Sequence, residues 1–233
     1  MDLTDAVFQE IQSTFGGVLN TAQQFAQGIA DDTGLILELP TPALITAKYQ
    51  AIWEDRAARA GISLNPILPC DRTSAELAHL EASGKRLGYI PSELATSKAR
   101  YILSKIFPPM KAPFEKKGCD AVKEKIRTGW FDYEVDLDGS YHDLTEEQLK
   151  KILIERGRVG MNLTEYIIAS QDSKLLTGHY LDEDTTRVRL LGALHEGRVI
   201  DAGFDTDGSL SILSFLQADY HDSELCGRSV GTK

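Results

Sequence analysis

Two glycine turns divide residues 187–216 into three runs rich in apolar side chains, and no other stretch constrains the fold as strongly. Runs of this kind joined by short turns indicate an antiparallel meander. We place a three-residue loop at His195-Glu196-Gly197 and a two-residue turn at Asp207-Gly208. A two-residue turn at Glu196-Gly197 would mix apolar and polar side chains on both faces, so the sequence disfavours it. The chosen register gives one wholly apolar face, formed by Val188, Leu190, Leu194, Ile200, Ala202, Phe204, Leu213 and Phe215.

The opposite face of this meander is mixed, so one side is expected to face the core and the other to be half covered. Its members are Arg187, Arg189, Leu191, Val199, Asp201, Asp205, Ile212 and Ser214. Residues 130–137 alternate strictly and predict a fourth strand. Phe131, Tyr133, Val135 and Leu137 would point inward, and Asp132, Glu134 and Asp136 outward.

The first half of the chain is predicted to be largely helical. Residues 4–30 place an apolar stripe at steps of three and four on a long helix, formed by Val7, Ile11, Phe15, Val18, Ala22, Phe25 and Ile29. Amphipathic spacing and caps predict further helices over 42–61, 73–83, 92–107, 113–127, 145–156 and 162–176. We therefore expect an α+β protein: a helical region over 1–70, then an α+β domain over 71–233 whose antiparallel sheet of about four strands is covered by helices.

Composition and charge narrow the class of protein. The 233 residues are 42% hydrophobic with a net charge of -10, which argues against general binding to nucleic acid or to anionic membranes. Cys70, Cys119 and Cys226 are an odd number at spacings unlike a zinc site, as in reduced intracellular proteins. The first residues do not resemble a signal peptide, and no apolar run is long enough to span a membrane. These observations predict a cytoplasmic protein.

One short pattern occurs twice and supplies the candidate metal ligands. D-x-D-G-S occurs at 136–140 and at 205–209, and Tyr-His-Asp follows each copy, at 141–143 and at 220–222. If the two Tyr-His-Asp segments meet in space, carboxylates and imidazoles could form a metal or acid–base site. The candidate ligands are Asp136, Asp138, His142, Asp205, Asp207 and His221.

Three interpretations of this repeat compete. An EF-hand loop would need a glutamate at its last position, where the copy aligned on Gly139 has Thr145. Residues 204–210 resemble the nucleophile loop of haloacid dehalogenase-type phosphatases, but only 25 residues follow Gly208, too few for the helices and strands of that fold. The third interpretation is turn chemistry alone, since aspartate and glycine tolerate left-handed backbone. Turn chemistry is favoured, with the metal site second.

Charge is distributed unevenly along the chain. Residues 98–127 carry nine basic and three acidic residues, a net charge of +6, which leaves -16 on the remainder. The basic residues are Lys98, Arg100, Lys105, Lys111, Lys116, Lys117, Lys123, Lys125 and Arg127. Such a run is usually a solvated helix face, and the alternative is a site for an acidic protein or an anionic ligand. The helix over 4–30 is a candidate homodimer contact, because its stripe is close to a heptad seam.

No motif in the chain specifies a chemistry. There is no Gly-x-Gly-x-x-Gly, no Walker lysine loop and no Gly-x-Ser-x-Gly elbow, and His195-Glu196 lacks the second histidine of a zinc protease. We therefore expect a non-catalytic binding or interaction module. The alternative is a metal-dependent hydrolase with a carboxylate–histidine site, so whether the protein is an enzyme, and with which cofactor, stays open.

Overall fold

The computed structural model describes residues 40–96, 99–110, 122–184, 186–213 and 217–231. Within these ranges there are five α-helices: α1 (Pro42–Ala60), α2 (Ser74–Ala82), α3 (Ala99–Ile106), α4 (Glu146–Glu155) and α5 (Leu163–Thr177). The nine strands are β1 (Lys85–Ile90), β2 (Val122–Glu124), β3 (Gly129–Glu134), β4 (Val159–Gly160), β5 (Arg187–His195), β6 (Arg198–Phe204), β7 (Leu210–Leu213), β8 (Leu225–Gly227) and β9 (Ser229–Gly231). The helix predicted over 4–30, and the homodimer contact with it, lie outside the described residues.

The strands form two sheets, so the predicted single meander covered by helices is wrong. The first sheet has the antiparallel order β1-β3-β9-β4. The second has the antiparallel order β2-β5-β6-β7, and β8 adds to β5 in parallel. The meander is therefore limited to β5, β6 and β7. Strand partners such as β1, β9 and β2 come from distant parts of the chain, and local periodicity does not encode them.

Strand β3 belongs to the first sheet rather than to the meander, and its alternation does not separate core from solvent. Asp132, expected to point outward, is buried. Leu137, expected to point inward, lies beyond the end of the strand and is 40% exposed. Both faces of the strand are covered, because Arg158 pairs with Asp132 on the face that was expected to be exposed to solvent.

The turn between β5 and β6 corrects the predicted register. His195 pairs with Arg198, so Glu196 and Gly197 form a two-residue turn, and both have the left-handed φ values, 49° and 81°, that such a turn requires. A bulge in β5 between Leu190 and Leu194, where four steps along β5 oppose one step along β6, returns Val188 and Leu190 to the predicted face. Leu194, predicted on the apolar face, is consequently 38% exposed.

The next loop is also one residue different from the prediction. Phe204 pairs with Leu210, and residues 206–208 form a three-residue loop that ends at Gly208 with φ 84°. Ala202 therefore pairs with Ile212, so Ile212 takes the place on the apolar face that was predicted for Leu213. The rest of that face is confirmed within the described residues, since Val188, Leu190, Ile200, Ala202 and Phe204 are all buried.

Helix predictions are confirmed for four ranges, and two others need correction. The capping boxes at Thr73 and Thr145 are present at the starts of α2 and α4, and α1 and α5 also agree with their predicted ranges. The helix predicted over 92–107 is a short 3-10 turn, Ser92–Leu94, followed by α3. The helix predicted to extend to residue 127 is wrong at its end, because Val122–Glu124 is strand β2, paired with β5.

Helix α5 lies at the centre of the core and packs against both β1 and β5. Its Tyr166 and the nearby Tyr180 contact Phe204, and the Tyr180 ring stacks on Phe204 with ring centroids 4.8 Å apart. Helix α1 shares this core through Tyr49 and Trp53. The division of the chain near residue 70 stays a prediction, since most of its first part lies outside the described residues.

Candidate functional site

The first D-x-D-G segment is clamped by a buried ion pair rather than folded as a tight turn. The Arg228 Nη2 donates to the carbonyl oxygens of Asp136 and Leu137, both at 2.8 Å. The Gly139 N–H donates to Asp182 Oδ1 at 2.8 Å. A Cβ at Gly139 would lie 2.2 Å from the Cys226 Sγ, so this glycine is required by close packing.

The ion pair that holds this segment joins Arg228 to Asp182, and both side chains are at most 1% exposed. The Arg228 Nε lies 2.7 Å from Asp182 Oδ2, and its Nη2 lies 3.0 Å from Oδ1. Burial, followed by the charge of Asp182, raises the pKa of the adjacent Cys226 thiol well above its ordinary value. This thiol is therefore neutral and poorly suited to act as a nucleophile.

The second D-x-D-G segment is the loop between β6 and β7. The Ser209 N–H donates to Asp207 Oδ1 and the Ser209 hydroxyl donates to Asp205 Oδ2, both at 2.8 Å. The hydrogen bonds from Ser209 lower the pKa of Asp207. Here glycine is required by the left-handed backbone of Gly208, so the two copies of the motif need glycine for different reasons.

The two Tyr-His-Asp segments do meet in space. The His221 Nδ1 donates to Asp143 Oδ1 at 2.7 Å, and the His142 Nδ1 lies 3.1 Å from the carbonyl oxygen of Ser223. Buried Arg189 on β5 holds both segments, because its guanidinium donates to the carbonyl oxygens of Leu144 at 2.7 Å and of Tyr220 at 2.6 Å. The polar face of β5 is therefore covered by these segments.

The Asp143–His221 pair has the geometry of an acid–base dyad. With the Nδ1–H bound to a carboxylate, the Nε2 of His221 keeps its lone pair and can accept a proton. Both side chains are more than half exposed, at 55% for His221 and 61% for Asp143. Asp143 also has a left-handed φ of 56°, which is uncommon for a residue other than glycine.

The six candidate metal ligands do not form one cluster. Among the described residues, which include all six, no group of three or more His, Cys, Asp or Glu side chains is arranged to hold a metal ion. The structure brings the neighbourhoods of His142 and His221 together, while Asp136 and Asp138 belong to the clamped segment and Asp205 and Asp207 to the β6–β7 loop. Metal binding by these residues stays a prediction without a coordinating geometry.

A cleft of about 420 Å³ lies in the basic segment, between the start of α3 and β2. We call it the α3–β2 cleft. It is lined by Ala95, Thr96, Ala99, Arg100, Val122, Lys123, Glu124 and Ile126. Four of the nine basic residues of the segment (Lys98, Lys111, Lys116 and Lys117) lie outside the described residues. Of the remaining five, Arg100 and Lys123 line the cleft.

The charged wall of the cleft is held in place from behind. The Arg100 Nη2 donates to the carbonyl oxygen of Val122 and lies 3.7 Å from Glu124 Oε1. The Glu124 carboxylate accepts from Thr164 at the first turn of α5, at 3.0 Å from its N–H and at 2.9 Å from its hydroxyl. Lys123 is exposed and forms no ion pair within the described residues. The wall therefore carries two cations and one carboxylate that is already bound.

A second ion pair lies deeper, at the same end of α5. The Glu165 carboxylate accepts two hydrogen bonds from Arg127, each at 2.6 Å. Burial raises the pKa of Glu165, and the hydrogen bonds and charge of Arg127 oppose that rise. Arg127 is thus committed to the fold, whereas Arg100 and Lys123 line the cleft.

No sequence motif marks Arg228, Asp182 or Arg189 as residues that hold the two repeated segments. Asp182 and Arg228 are 46 positions apart and lie in loops without a repeated pattern, so no local signal marks them. Comparisons of the chain with protein-family models, with curated proteins and with solved structures found no match. Within the described ranges no helix is both long and apolar enough to cross a membrane.

Proposed function

We propose that the protein is a non-catalytic binding protein that holds a small carboxylate-bearing ligand in the α3–β2 cleft. The observation that carries this proposal is the position of the cleft: it lies in the basic segment of an otherwise acidic chain. Its volume of about 420 Å³ is in the range of small-molecule sites, which are concave, largely apolar and provided with few polar groups.

The lining of the cleft specifies the class of ligand. Ala95, Ala99, Val122 and Ile126 give it apolar walls, which favour a ligand with an apolar body. Arg100 is fixed by Val122 and Glu124, so its guanidinium loses little conformational freedom when it contacts an anion. Lys123 adds a flexible positive charge at the rim. A medium-chain or aromatic carboxylate fits this combination better than a large polyanion does.

Isothermal titration calorimetry with octanoate as the probe tests the proposal. Octanamide, which has the same apolar chain without the charge, is the matched ligand control. We expect octanoate to bind and octanamide to bind at least about tenfold more weakly, a difference of about 1.4 kcal/mol. Equal affinity for the two probes, or no binding of either, would show that the cleft does not select a carboxylate.

A charge reversal in the protein tests the same interaction between the carboxylate and the cleft. Lys123→Glu reverses the charge at the rim and should weaken octanoate binding by about tenfold or more. Lys151→Glu makes the same change on exposed α4, away from the cleft lining, and should leave binding unchanged. If only an acidic protein, and no small carboxylate, binds in a Lys123-dependent way, the segment is a protein-binding surface instead.

One observation favours the alternative, a metal-dependent hydrolase: the Asp143–His221 dyad that joins the two Tyr-His-Asp segments. A ligand that binds only the native state raises the apparent stability, so a metal held there should raise the melting temperature. His221→Gln should abolish such a shift with zinc or manganese. If no metal ion raises the melting temperature of the wild-type protein, the Asp143–His221 dyad does not hold a metal and the metal-dependent hydrolase is excluded.

A further inference from the structure

The edges of the two sheets are protected at almost every strand of the described chain. An edge strand exposes a row of backbone N–H and C=O groups that can pair with another chain, so proteins usually cover such edges. On β1, the Tyr49 hydroxyl donates to the Leu87 carbonyl oxygen and the Trp53 Nε1 donates to that of Tyr89. Helix α1 therefore covers this edge with two buried aromatic side chains.

The other short edges are capped by single residues. Arg100 donates to the Val122 carbonyl oxygen on β2, and Arg127 donates to that of Gly160 on β4 at 3.1 Å. On β8, the Gly227 N–H donates to the carbonyl oxygen of Ser140 at 2.9 Å. Each of these edges thus has a donor or an acceptor from elsewhere in the chain.

Strand β7 differs from all of these. It pairs with β6 on one side, and within the described residues no side chain or backbone group bonds to its other side. In an antiparallel ladder successive residues point their N–H and C=O groups to alternate sides. The Asp205 N–H donates to the Ser209 carbonyl oxygen at 3.0 Å, which turns the backbone groups of Leu210 and Ile212 away from β6.

The sequence of this edge also lacks the usual protection. Ser209 and the four residues of β7, Leu-Ser-Ile-Leu, contain no charge and no proline. Natural edge strands commonly carry lysine, proline or an inward charge to prevent pairing with other chains. The chain as a whole has a net charge of -10, so an uncharged strand is where two copies can approach with least repulsion.

We infer that β7 pairs with β7 of a second copy of this chain, antiparallel about a twofold axis. The row of outward groups on Leu210 and Ile212 is complementary to itself in that orientation, as an isologous contact requires. Leu210 of each copy would pair with Ile212 of the other and exchange two hydrogen bonds. Ser211 would then lie on the axis, opposite the Ser211 of the second copy, and the five-stranded sheets of both copies would become continuous.

A charge-swap experiment on the full chain tests this contact. Cross-strand neighbours lie about 5 Å apart, so Ser211→Lys or Ser211→Asp would place two like charges together in the dimer. The molar mass is measured by sedimentation equilibrium over a wide range of concentration for the wild type, for each variant and for their equimolar mixture. We expect a dimer for the wild type, a loss of dimer for each variant, and its recovery in the mixture as a Lys–Asp heterodimer.

The mixture also controls for folding, because misfolded variants would not recover the dimer. A monomeric wild type overturns the inference. A wild-type dimer that survives both substitutions also overturns it, since the copies then meet through another surface, such as the helix predicted over 4–30. If both variants lose the dimer and the mixture does not recover it, the two Ser211 side chains do not face each other across a twofold axis. That result would also overturn the proposal.

Discussion

Replacing Asp182 by alanine should destabilise the fold more than any other single carboxylate change in the described part of the chain. Asp182 is fully buried, and its two oxygens accept hydrogen bonds from Arg228, Gly139 and Thr186. The substitution leaves the Arg228 guanidinium buried without a counter-charge. Breaking a buried pair from one side typically costs about 3 to 5 kcal/mol, because the remaining charge is neither solvated nor paired.

The chain contains a matched control two residues away. Asp184 has a φ of 58°, against 57° for Asp182, but Asp184 is exposed. Alanine at either position therefore meets the same left-handed backbone strain of about 1 kcal/mol, and the difference between the two variants isolates the ion pair. We expect Asp182→Ala to cost about 3 kcal/mol more than Asp184→Ala in urea unfolding followed by circular dichroism.

A double variant separates the ion pair from general damage to the core. With Arg228→Met added to Asp182→Ala, no charge is left buried, so the cost should be smaller than the sum of the two single costs. Equal costs for Asp182→Ala and Asp184→Ala, or additive costs in the double variant, would show that the buried Arg228–Asp182 pair is not the source of this stability.

Three further substitutions test the register and the buried charges. Glu196→Asn should stabilise the fold by about 0.5 kcal/mol, because asparagine adopts the left-handed backbone of a two-residue turn more readily than glutamate. A destabilised variant would favour a three-residue loop at this position instead. Phe204→Ala should cost about 3 to 5 kcal/mol and Leu194→Ala less than about 1 kcal/mol, since Phe204 is buried and Leu194 is 38% exposed; equal midpoints in denaturant would contradict the bulge. Burial, with the nearby charge of Arg86, lowers the pKa of Lys48 to about 8. Between that value and its ordinary 10.5 the unfolded chain binds more protons, so the contribution of Lys48 to stability rises with pH. Lys48→Met should therefore stabilise by about 1 to 2 kcal/mol at pH 7, and this advantage should shrink by pH 10 in thermal melts; a constant advantage would contradict the shift.

The elements with strong local signals could be predicted from the sequence. The capping boxes of Thr73 and Thr145 fix the starts of α2 and α4, because their hydrogen bonds join residues only three positions apart. The positions of the glycine turns around β6 were also correct. Which loop has three residues was not predicted correctly. For the β5–β6 turn the reason is the bulge in β5, which shifts the register by three residues and is not marked by anything in the sequence near Leu190.

Long-range pairing explains the remaining errors in the fold. β3 alternates as a half-exposed strand would, yet both of its faces are covered, because Arg158 comes to lie over Asp132. Asp201 was placed on the half-covered face of the meander, but it is buried and paired with Arg187, so its replacement should be strongly destabilising. Such contacts depend on which elements become neighbours.

The candidate site could be predicted only in part. The Tyr-His-Asp repeat indicated two segments that do meet, but Arg189, which bonds the backbone of both from below, belongs to β5 and was not predicted to do so. The basic segment indicated where the α3–β2 cleft lies, because charge imbalance is visible in composition. The cleft forms because β2 pairs with β5, and the local sequence pattern did not predict that pairing.

The most direct test of the proposed binding function is an amide-resolved NMR titration of the protein with octanoate. We predict saturable shifts at the amides of Ala99, Lys123 and Glu124, and no shift at Asp143 or His221, which lie outside the cleft lining. Ala95→Trp, which places a large side chain at the exposed wall of the cleft, should abolish these shifts while the rest of the spectrum stays unchanged. Shifts centred on Asp143 and His221, or shifts at the cleft that survive Ala95→Trp, would contradict the proposed function.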